Sequence, residues 1–165
     1  MGTEIERKFL VAGDDWRKGA SAPVRIRQGY LSRDPARVVR VRTKGDHAFL
    51  TIKSARPGSA ALSRAEFEYE IPFDDAVQLL DQVSVPPVIT KDRYRVKAGK
   101  KLVWEIDVFV APHPGFVLAE IELPDAETTF DRPDWVGREV TGDPRYQNAN
   151  IGGAELDRGA TGSAP

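Results

Sequence analysis

The chain has 165 residues with a formal net charge of −1, and 30% of its residues are charged. This length suits one domain with a sizeable core, and the near-neutral charge argues against bulk, non-specific nucleic-acid binding. The absence of cysteine excludes disulfides, cysteine-ligated zinc and thiol catalysis. Neither a signal-peptide pattern nor an apolar run of roughly 20 residues is visible, so we expect a cytoplasmic protein without membrane or nucleic-acid partners.

Eight segments alternate apolar and polar residues with the period of two that is typical of strands. In chain order they are residues 4–11, 24–31, 38–44, 47–54, 62–71, 88–98, 101–109 and 116–123. Turn signals at Gly45-Asp46 and Gly99-Lys100 predict antiparallel hairpins. Residues 73–83 have apolar side chains at helical spacing and predict a helix, which Asp74 can cap.

Eight antiparallel strands can close into a barrel, which leaves no exposed sheet edge. The sequence therefore predicts a mainly antiparallel α+β fold: a closed eight-stranded, tunnel-like β-barrel with a few flanking helices. A two-sheet sandwich is the alternative. Residues 133–136 are predicted as a loop. We expect a single domain over residues 1–151, followed by a mobile small and polar tail over 152–165.

The charged face of these strands is sorted by sign. Carboxylates are concentrated in the first, fifth, seventh and eighth strands, and basic groups in the other four. Acidic pairs two residues apart recur as Glu4/Glu6, Glu66/Glu68, Glu105/Asp107 and Glu120/Glu122. Such side chains lie roughly 7 Å apart on one face, where they repel each other unless a cation lies between them.

This sorting predicts a charged interior. A hard divalent ion, Mg²⁺ or Mn²⁺, suits the carboxylate rows, and the basic rows, which include Arg25 and Arg27, suit the oxygens of a polyphosphate. The apolar faces would then point outward, under the predicted helix and the tryptophan-bearing segments. The alternative is a lipocalin-like barrel with its charged face in solvent and an apolar pocket inside.

Several motifs in order resemble the CYTH superfamily, the triphosphate tunnel metalloenzymes, and in particular its small bacterial inorganic triphosphatases. They are EIERKFLV, RQGYL, LSRAEFEYEI, KDRY, WEIDVF, LAEIEL and EVTGDPRYQN, and the resemblance runs from residue 2 to about residue 151. The first motif alone is short, whereas the ordered set is specific. The resemblance implies a tunnel in which a metal-activated water attacks tripolyphosphate in line, giving pyrophosphate and phosphate.

The resemblance also implies roles for individual residues. Lys8 would contact the phosphates or orient the attacking water, and Glu6 and Glu122 would join it as catalytic residues. Tyr30 would lie near the tunnel mouth, and Arg145 is the only candidate for a basic group near the C-terminal end. The implied metal ligands are Glu4, Glu6, Glu68, Glu120 and Glu122, with Asp107 and Glu66 as second-shell or second-metal groups. The implied phosphate-binding groups are Arg40, Arg42, Lys53, Lys91 and Arg93.

Other activities on the same fold stay open. A nucleoside or thiamine triphosphatase and an adenylate cyclase are the alternatives within the family. A non-catalytic barrel that binds polyphosphate or nucleotide is the alternative from another class. His47 and His113 lack the partner pattern of a catalytic histidine, and no glycine-rich phosphate loop is present.

Overall fold

The structure is a computed structural model that describes residues 5–55, 64–151 and 156. Its strands within these ranges are β1 (Ile5–Val11), β2 (Val24–Ser32), β3 (Arg37–Lys44), β4 (His47–Ser54), β5 (Glu66–Glu70), β6 (Val85–Lys97), β7 (Val103–Ala111), β8 (Val117–Leu123) and β9 (Val136–Glu139). The α-helices are α1 (Phe73–Gln82) and α2 (Asn148–Ile151), and short 3-10 helices span Asp15–Gly19 and Pro144–Tyr146.

The strands form one antiparallel sheet in the order β5-β4-β3-β2-β6-β7-β8-β1-β9. The predicted antiparallel α+β class is therefore confirmed. The predicted closure is not: β5 and β9 are the two edges, and no ladder joins them within the described residues. The sheet instead curves around a cavity that is lined by residues of every strand from β1 to β8.

Two other differences concern strand boundaries. The ninth strand, β9, begins in the segment that the sequence predicts as a loop, and its four residues pair with the edge of β1. A strand this short has no periodicity of its own, so only its partner defines it. In addition, β6 begins at Val85 rather than at Val88, and it runs through Pro86 and Pro87.

The order of the strands in the sheet groups the basic strands together and separates them from the acidic ones. The four strands with basic rows, β4, β3, β2 and β6, are neighbours in the middle of the sheet. The acidic strands flank them, with β5 on one side and β7, β8 and β1 on the other. Because the sheet is curved, the two acidic flanks approach the basic strands around the same cavity.

The outer face of the sheet carries most of the apolar core. Phe9 packs edge-to-face against Trp104, with ring centroids 5.5 Å apart, and Trp16 and Trp135 belong to the same buried cluster. On the opposite side of the molecule, α1 packs Leu80 and Ala76 against β3 and β4. No helix in the described ranges is long and apolar enough to cross a membrane.

The inward-facing rows become apolar at one end of the cavity. Leu10, Ile89, Phe109 and Leu118 follow the charged residues on β1, β6, β7 and β8, and they form a buried cluster with Tyr146 and other residues. The charged interior predicted from the sequence therefore occupies only part of the length of these strands, and the apolar cluster lies below it.

Candidate active site

The cavity has a volume of about 690 Å³ and is lined mainly by charged and polar side chains. Its lining within the described residues includes eight cationic and five anionic groups. The cationic residues are Lys8, Arg33, Arg40, Arg42, Lys44, Lys53, Arg64 and Arg93, and the anionic ones are Glu6, Glu66, Glu68, Glu105 and Glu120. This excess of positive charge favours an anionic ligand.

Arg40 and Arg42 project into the cavity from β3, where they are two residues apart and therefore on the same face. The Arg40 Nη2 atom donates to Thr51 Oγ1 at 3.3 Å, and its Nε is buried without a hydrogen-bond partner. The guanidinium of Arg42 donates from Nε and Nη2 to Gln28 Oε1 at 3.1 and 2.9 Å. Burial, together with Arg40 and Arg93, lowers the pKa of Arg42 to about 9. It therefore remains protonated at neutral pH.

A buried ion-pair group lies beneath these arginines. Arg93 binds Asp107 through Nε at 2.7 Å and through Nη2 at 2.8 Å, and Lys91 Nζ lies 2.6 Å from Asp107 Oδ2. Burial alone would raise the pKa of Asp107, but Lys91 and Arg93 outweigh this effect and hold it well below its ordinary value. Burial lowers the pKa of Lys91 to about 8.

Lys91 and Asp107 are fully buried and do not line the cavity. This position contrasts with the phosphate contact predicted for Lys91 and with a metal-ligand role of Asp107, but it fits the second-shell alternative predicted for Asp107. Both side chains point inward, as predicted. Lys91, however, is two residues from Ile89 on the same face of β6 and therefore lies next to the apolar cluster. The two side chains form an ion pair with each other, and Asp107 also binds Arg93 and holds it in place.

The acidic side of the cavity is built around Lys8. Its Nζ lies 3.6 Å from Glu6 Oε1 and 3.7 Å from Glu120 Oε1, and it donates to the Tyr146 carbonyl at 3.4 Å. Burial would lower the pKa of Lys8, but Glu120 and Glu6 outweigh it and raise the pKa above its ordinary value. The ammonium form is therefore the stable one.

Glu120 is the most buried carboxylate that lines the cavity. Burial would raise its pKa, yet Lys8 and Arg93 outweigh burial and lower it, so the group stays ionised. Its Oε1 is buried and has no hydrogen-bond partner. An ionised oxygen in this position can accept a cation.

The residues present fit a divalent cation in chemistry. Carboxylate oxygens are the ligands that such cations prefer. Glu120 Oε1, which accepts no hydrogen bond, and Glu6 Oε1 lie 3.7 and 3.6 Å from Lys8 Nζ and are therefore on the same side of the cavity. Within the described ranges, no three His, Asp or Glu side chains are arranged to hold a metal. Glu4, the remaining member of the predicted N-terminal pair, lies outside those ranges.

The carboxylates of β5 line the other side of the cavity. Glu68 Oε2 accepts from Thr51 Oγ1 at 3.0 Å, and Glu66 Oε2 lies 3.8 Å from Lys53 Nζ. Tyr30 lines the cavity from β2 and is almost fully buried. Glu68, Lys53 and Tyr30 thus line the cavity, and their roles stay predictions.

Four predicted residues lie elsewhere, and all four take part in other contacts or line a different surface. Arg25 pairs with Asp92 at 2.6 Å, Arg27 with Asp81 of α1 at 3.1 Å and Arg145 with Asp143 at 2.8 Å. Glu122 is exposed and lines a smaller cavity of about 220 Å³, although it pairs with Glu6 in the β1–β8 ladder.

The sequence predicts that Arg25 and Arg27 face the cavity, but β2 turns its other face inward. Gln28 and Tyr30 are the buried residues of that strand beside Arg42 and Arg40, and the two arginines alternate with them. Their predicted position on the cavity face is therefore wrong.

Other residues of the cavity were not singled out from the sequence. They include Gln28, which contacts Arg42, and the lining residues Arg33, Arg64, Thr141 and Asn148. Lys44 belongs to the same predicted basic row as Arg40 and Arg42 on β3 and also lines the cavity. The loop residues carry no periodicity, so no pattern could have placed them.

The chain is similar to several known proteins. The family model described as CYTH domain matches residues 2–150. An inorganic triphosphatase of Acetivibrio thermocellus is 47% identical over 151 residues, which cover 92% of this chain and 94% of the relative. An inorganic triphosphatase of Nitrosomonas europaea is 37% identical over 149 residues, covering 88% and 94%. The crystal structure of the inorganic triphosphatase NE1496 matches with a TM-score of 0.65 and 31% identity, covering 95% and 99%.

Proposed function

Because the chain belongs to the CYTH domain family, we propose that it is a metal-dependent triphosphatase that hydrolyses inorganic tripolyphosphate to pyrophosphate and phosphate. The two curated relatives, both named inorganic triphosphatase, cover most of the chain and support this activity. The observation that carries the proposal is the cavity itself, in which arginines and lysines from the central strands face carboxylates of the flanking strands.

The basic residues of the cavity bind the phosphate oxygens. Arg40 and Arg42 supply planar guanidinium groups suited to bidentate contacts with phosphate, and Lys53 and Arg93 line the same cavity. The buried Arg40 Nε, which lacks a partner, is a donor that a phosphate oxygen would satisfy. A small-molecule triphosphate is the ligand that matches this row of donors.

Glu6 and Glu120 would hold the divalent cation, Mg²⁺ or Mn²⁺. The remaining proposed ligands are Glu4, Glu68 and Glu122, the last from the smaller cavity, which shares Glu105 with the main one. When bound, such a cation offsets the charge of phosphate oxygens and makes water a better nucleophile at neutral pH. Glu120 keeps the ionised form that this needs, because Lys8 and Arg93 outweigh burial and lower its pKa.

Lys8 acts as a fixed cation rather than as a base. Its raised pKa keeps the ammonium protonated at neutral pH, so it can donate hydrogen bonds but cannot accept a proton. Its position between Glu6 and Glu120 suits contact with a phosphate oxygen or orientation of the attacking water. The described lining contains no serine, cysteine or histidine, which supports attack by water over a covalent intermediate.

The lining favours an inorganic substrate over a nucleotide. Tyr30 is the one aromatic residue among the described lining residues, and Pro35, Val38 and Ala149 are the few apolar ones with a side chain. A base or thiazole ring would find little apolar surface there, whereas polyphosphate oxygens would meet charged donors throughout.

The test is an activity panel with tripolyphosphate, ATP and thiamine triphosphate, each with Mg²⁺, with Mn²⁺ and with a chelator. We expect phosphate release to be fastest with tripolyphosphate and to stop with the chelator. Release of cyclic AMP from ATP, with tripolyphosphate left intact, would overturn the proposal in favour of a cyclase.

A second measurement separates an enzyme from a binding module. Glu6→Gln keeps the size of the side chain and removes its charge. We expect this variant to bind tripolyphosphate but to lose most of its turnover, about a hundredfold or more. If the wild-type protein binds tripolyphosphate and no metal supports any turnover, the chain is a polyphosphate-binding module instead.

A further inference from the structure

Gln28 is the immediate neighbour of Arg42 beneath the cavity surface. It is fully buried, it lies opposite Arg42 in the β2–β3 ladder, and its Oε1 accepts from both Nε and Nη2 of Arg42. The orientation of the amide is fixed, since an NH₂ group cannot accept from a guanidinium. The amide nitrogen, Nε2, is buried without a partner.

The contrast with Arg93 shows what is unusual about this contact. Arg93 is paired with the carboxylates of Asp107 and Glu105, so much of its charge is already balanced within the protein. Arg42 forms no ion pair with a carboxylate in the described part of the chain, and its side-chain hydrogen bonds go to the neutral Gln28. A neutral acceptor orients a guanidinium without neutralising it.

We propose that Gln28 is a positioning residue that holds the Arg42 guanidinium in the cavity surface while leaving its positive charge for the phosphate oxygens of the substrate. This inference rests on the proposed triphosphatase function. It assigns to Gln28 two separable properties: the acceptor geometry, which a glutamate would keep, and the neutrality, which a glutamate would abolish.

The experiment compares Gln28→Glu and Gln28→Met with the wild-type protein in KM, kcat and thermal midpoint, with tripolyphosphate as the substrate. We expect Gln28→Glu to fold and to raise KM by about tenfold or more, because the new carboxylate pairs with Arg42 and competes with phosphate. Gln28→Met, which removes the acceptor, should raise KM by a smaller factor. Gln78→Glu makes the same chemical change on the exposed face of α1 and should leave KM unchanged.

A double-mutant cycle with Arg42→Met tests whether Gln28 acts through Arg42. In that background, both Gln28 substitutions should change KM by less than about twofold, and the cycle with Gln28→Met decides the question if Gln28→Glu does not fold. Equal KM effects with and without Arg42, or a Gln28→Glu enzyme with the wild-type KM, would overturn the role of Gln28 alone. A wild-type protein that neither binds nor hydrolyses tripolyphosphate would overturn the proposed function, and this inference with it.

Discussion

Lys91 Nζ lies 2.6 Å from Asp107 Oδ2 beneath the floor of the cavity, and neither side chain is exposed to solvent. The same carboxylate receives two hydrogen bonds from Arg93, whose guanidinium reaches the cavity. One buried anion therefore balances one buried cation and fixes a second cation that lines the site. Removing any one of these charges should therefore lower the free energy of unfolding.

Asp107→Asn should be strongly destabilising, since it leaves Lys91 buried without its anion and removes the most buried partner of Arg93. We expect the free energy of unfolding, measured by urea denaturation, to fall by about 3–5 kcal/mol. Asp92→Asn removes the carboxylate of an outer pair with the exposed Arg25 and should change stability little. Comparable losses in the two variants would show that the buried group contributes nothing special.

The same carboxylates should make stability depend on pH on the acid side. The folded-state pKa values of Asp107 and Glu120 lie below their ordinary values, so their contribution is present above an unfolded-state pKa of about 4. It is lost as the pH falls towards the folded-state values, because the unfolded chain then binds more protons. Urea midpoints from pH 7 to pH 3 should fall steeply for the wild type and less steeply for Asp107→Asn. Parallel curves would contradict this explanation.

The close packing of α1 on β2 depends on a residue without a side chain. A Cβ atom at Gly29 would lie 2.9 Å from Ser84 Cβ and 3.0 Å from Leu80 Cδ2, and Ser84 is held by its hydrogen bond to the Leu80 carbonyl. Gly29→Ala should therefore lower the free energy of unfolding by about 1–3 kcal/mol. Gly19→Ala is the matched control, since its new Cβ would meet no atom closer than 3.8 Å. Equal stabilities of the two variants would refute the steric argument.

Alternation along the strands was sufficient to predict the antiparallel sheet and the inward direction of Lys8, Arg40 and Arg42. It failed at β2, because a period of two defines two faces without saying which one is inside. The inward face of β2 carries Gln28 and Tyr30 rather than its arginines. The pairing of β2 with its neighbouring strands determines which face is inside, and only the register of that pairing in the structure shows it.

Alternation also does not predict how far along the cavity an inward-facing residue lies. Lys91 and Arg93 share one face of β6, yet only Arg93 reaches the cavity, because Lys91 lies next to the apolar cluster that fills the lower end. Whether the sheet closes into a barrel likewise could not be predicted from the sequence. The count of eight strands suggested a barrel, whereas the pairing leaves β5 and β9 as edges.

Glu120→Gln should weaken metal binding more than it weakens folding. The substitution keeps the shape of the side chain but removes the charge that its buried Oε1, which accepts no hydrogen bond, offers to a cation. We expect the Mg²⁺ or Mn²⁺ concentration for half-maximal activity to rise by about tenfold or more. Glu139→Gln is the control, because Glu139 pairs with Arg7 and does not itself line the cavity. An unchanged metal requirement in Glu120→Gln would remove this residue from the proposed ligands.

Lys44 should affect substrate capture rather than the chemical step. It lines the cavity two residues beyond Arg42 and takes part in no ion pair among the described residues, so its charge acts on an incoming anion. Lys44→Gln should raise the KM for tripolyphosphate by about two- to fivefold with kcat unchanged. Added salt should raise KM less in this variant than in the wild type, since part of the screened attraction is already absent. Lys97→Gln, an exposed change outside the lining, serves as the control. A fall in kcat with KM constant would instead place Lys44 in the reaction itself.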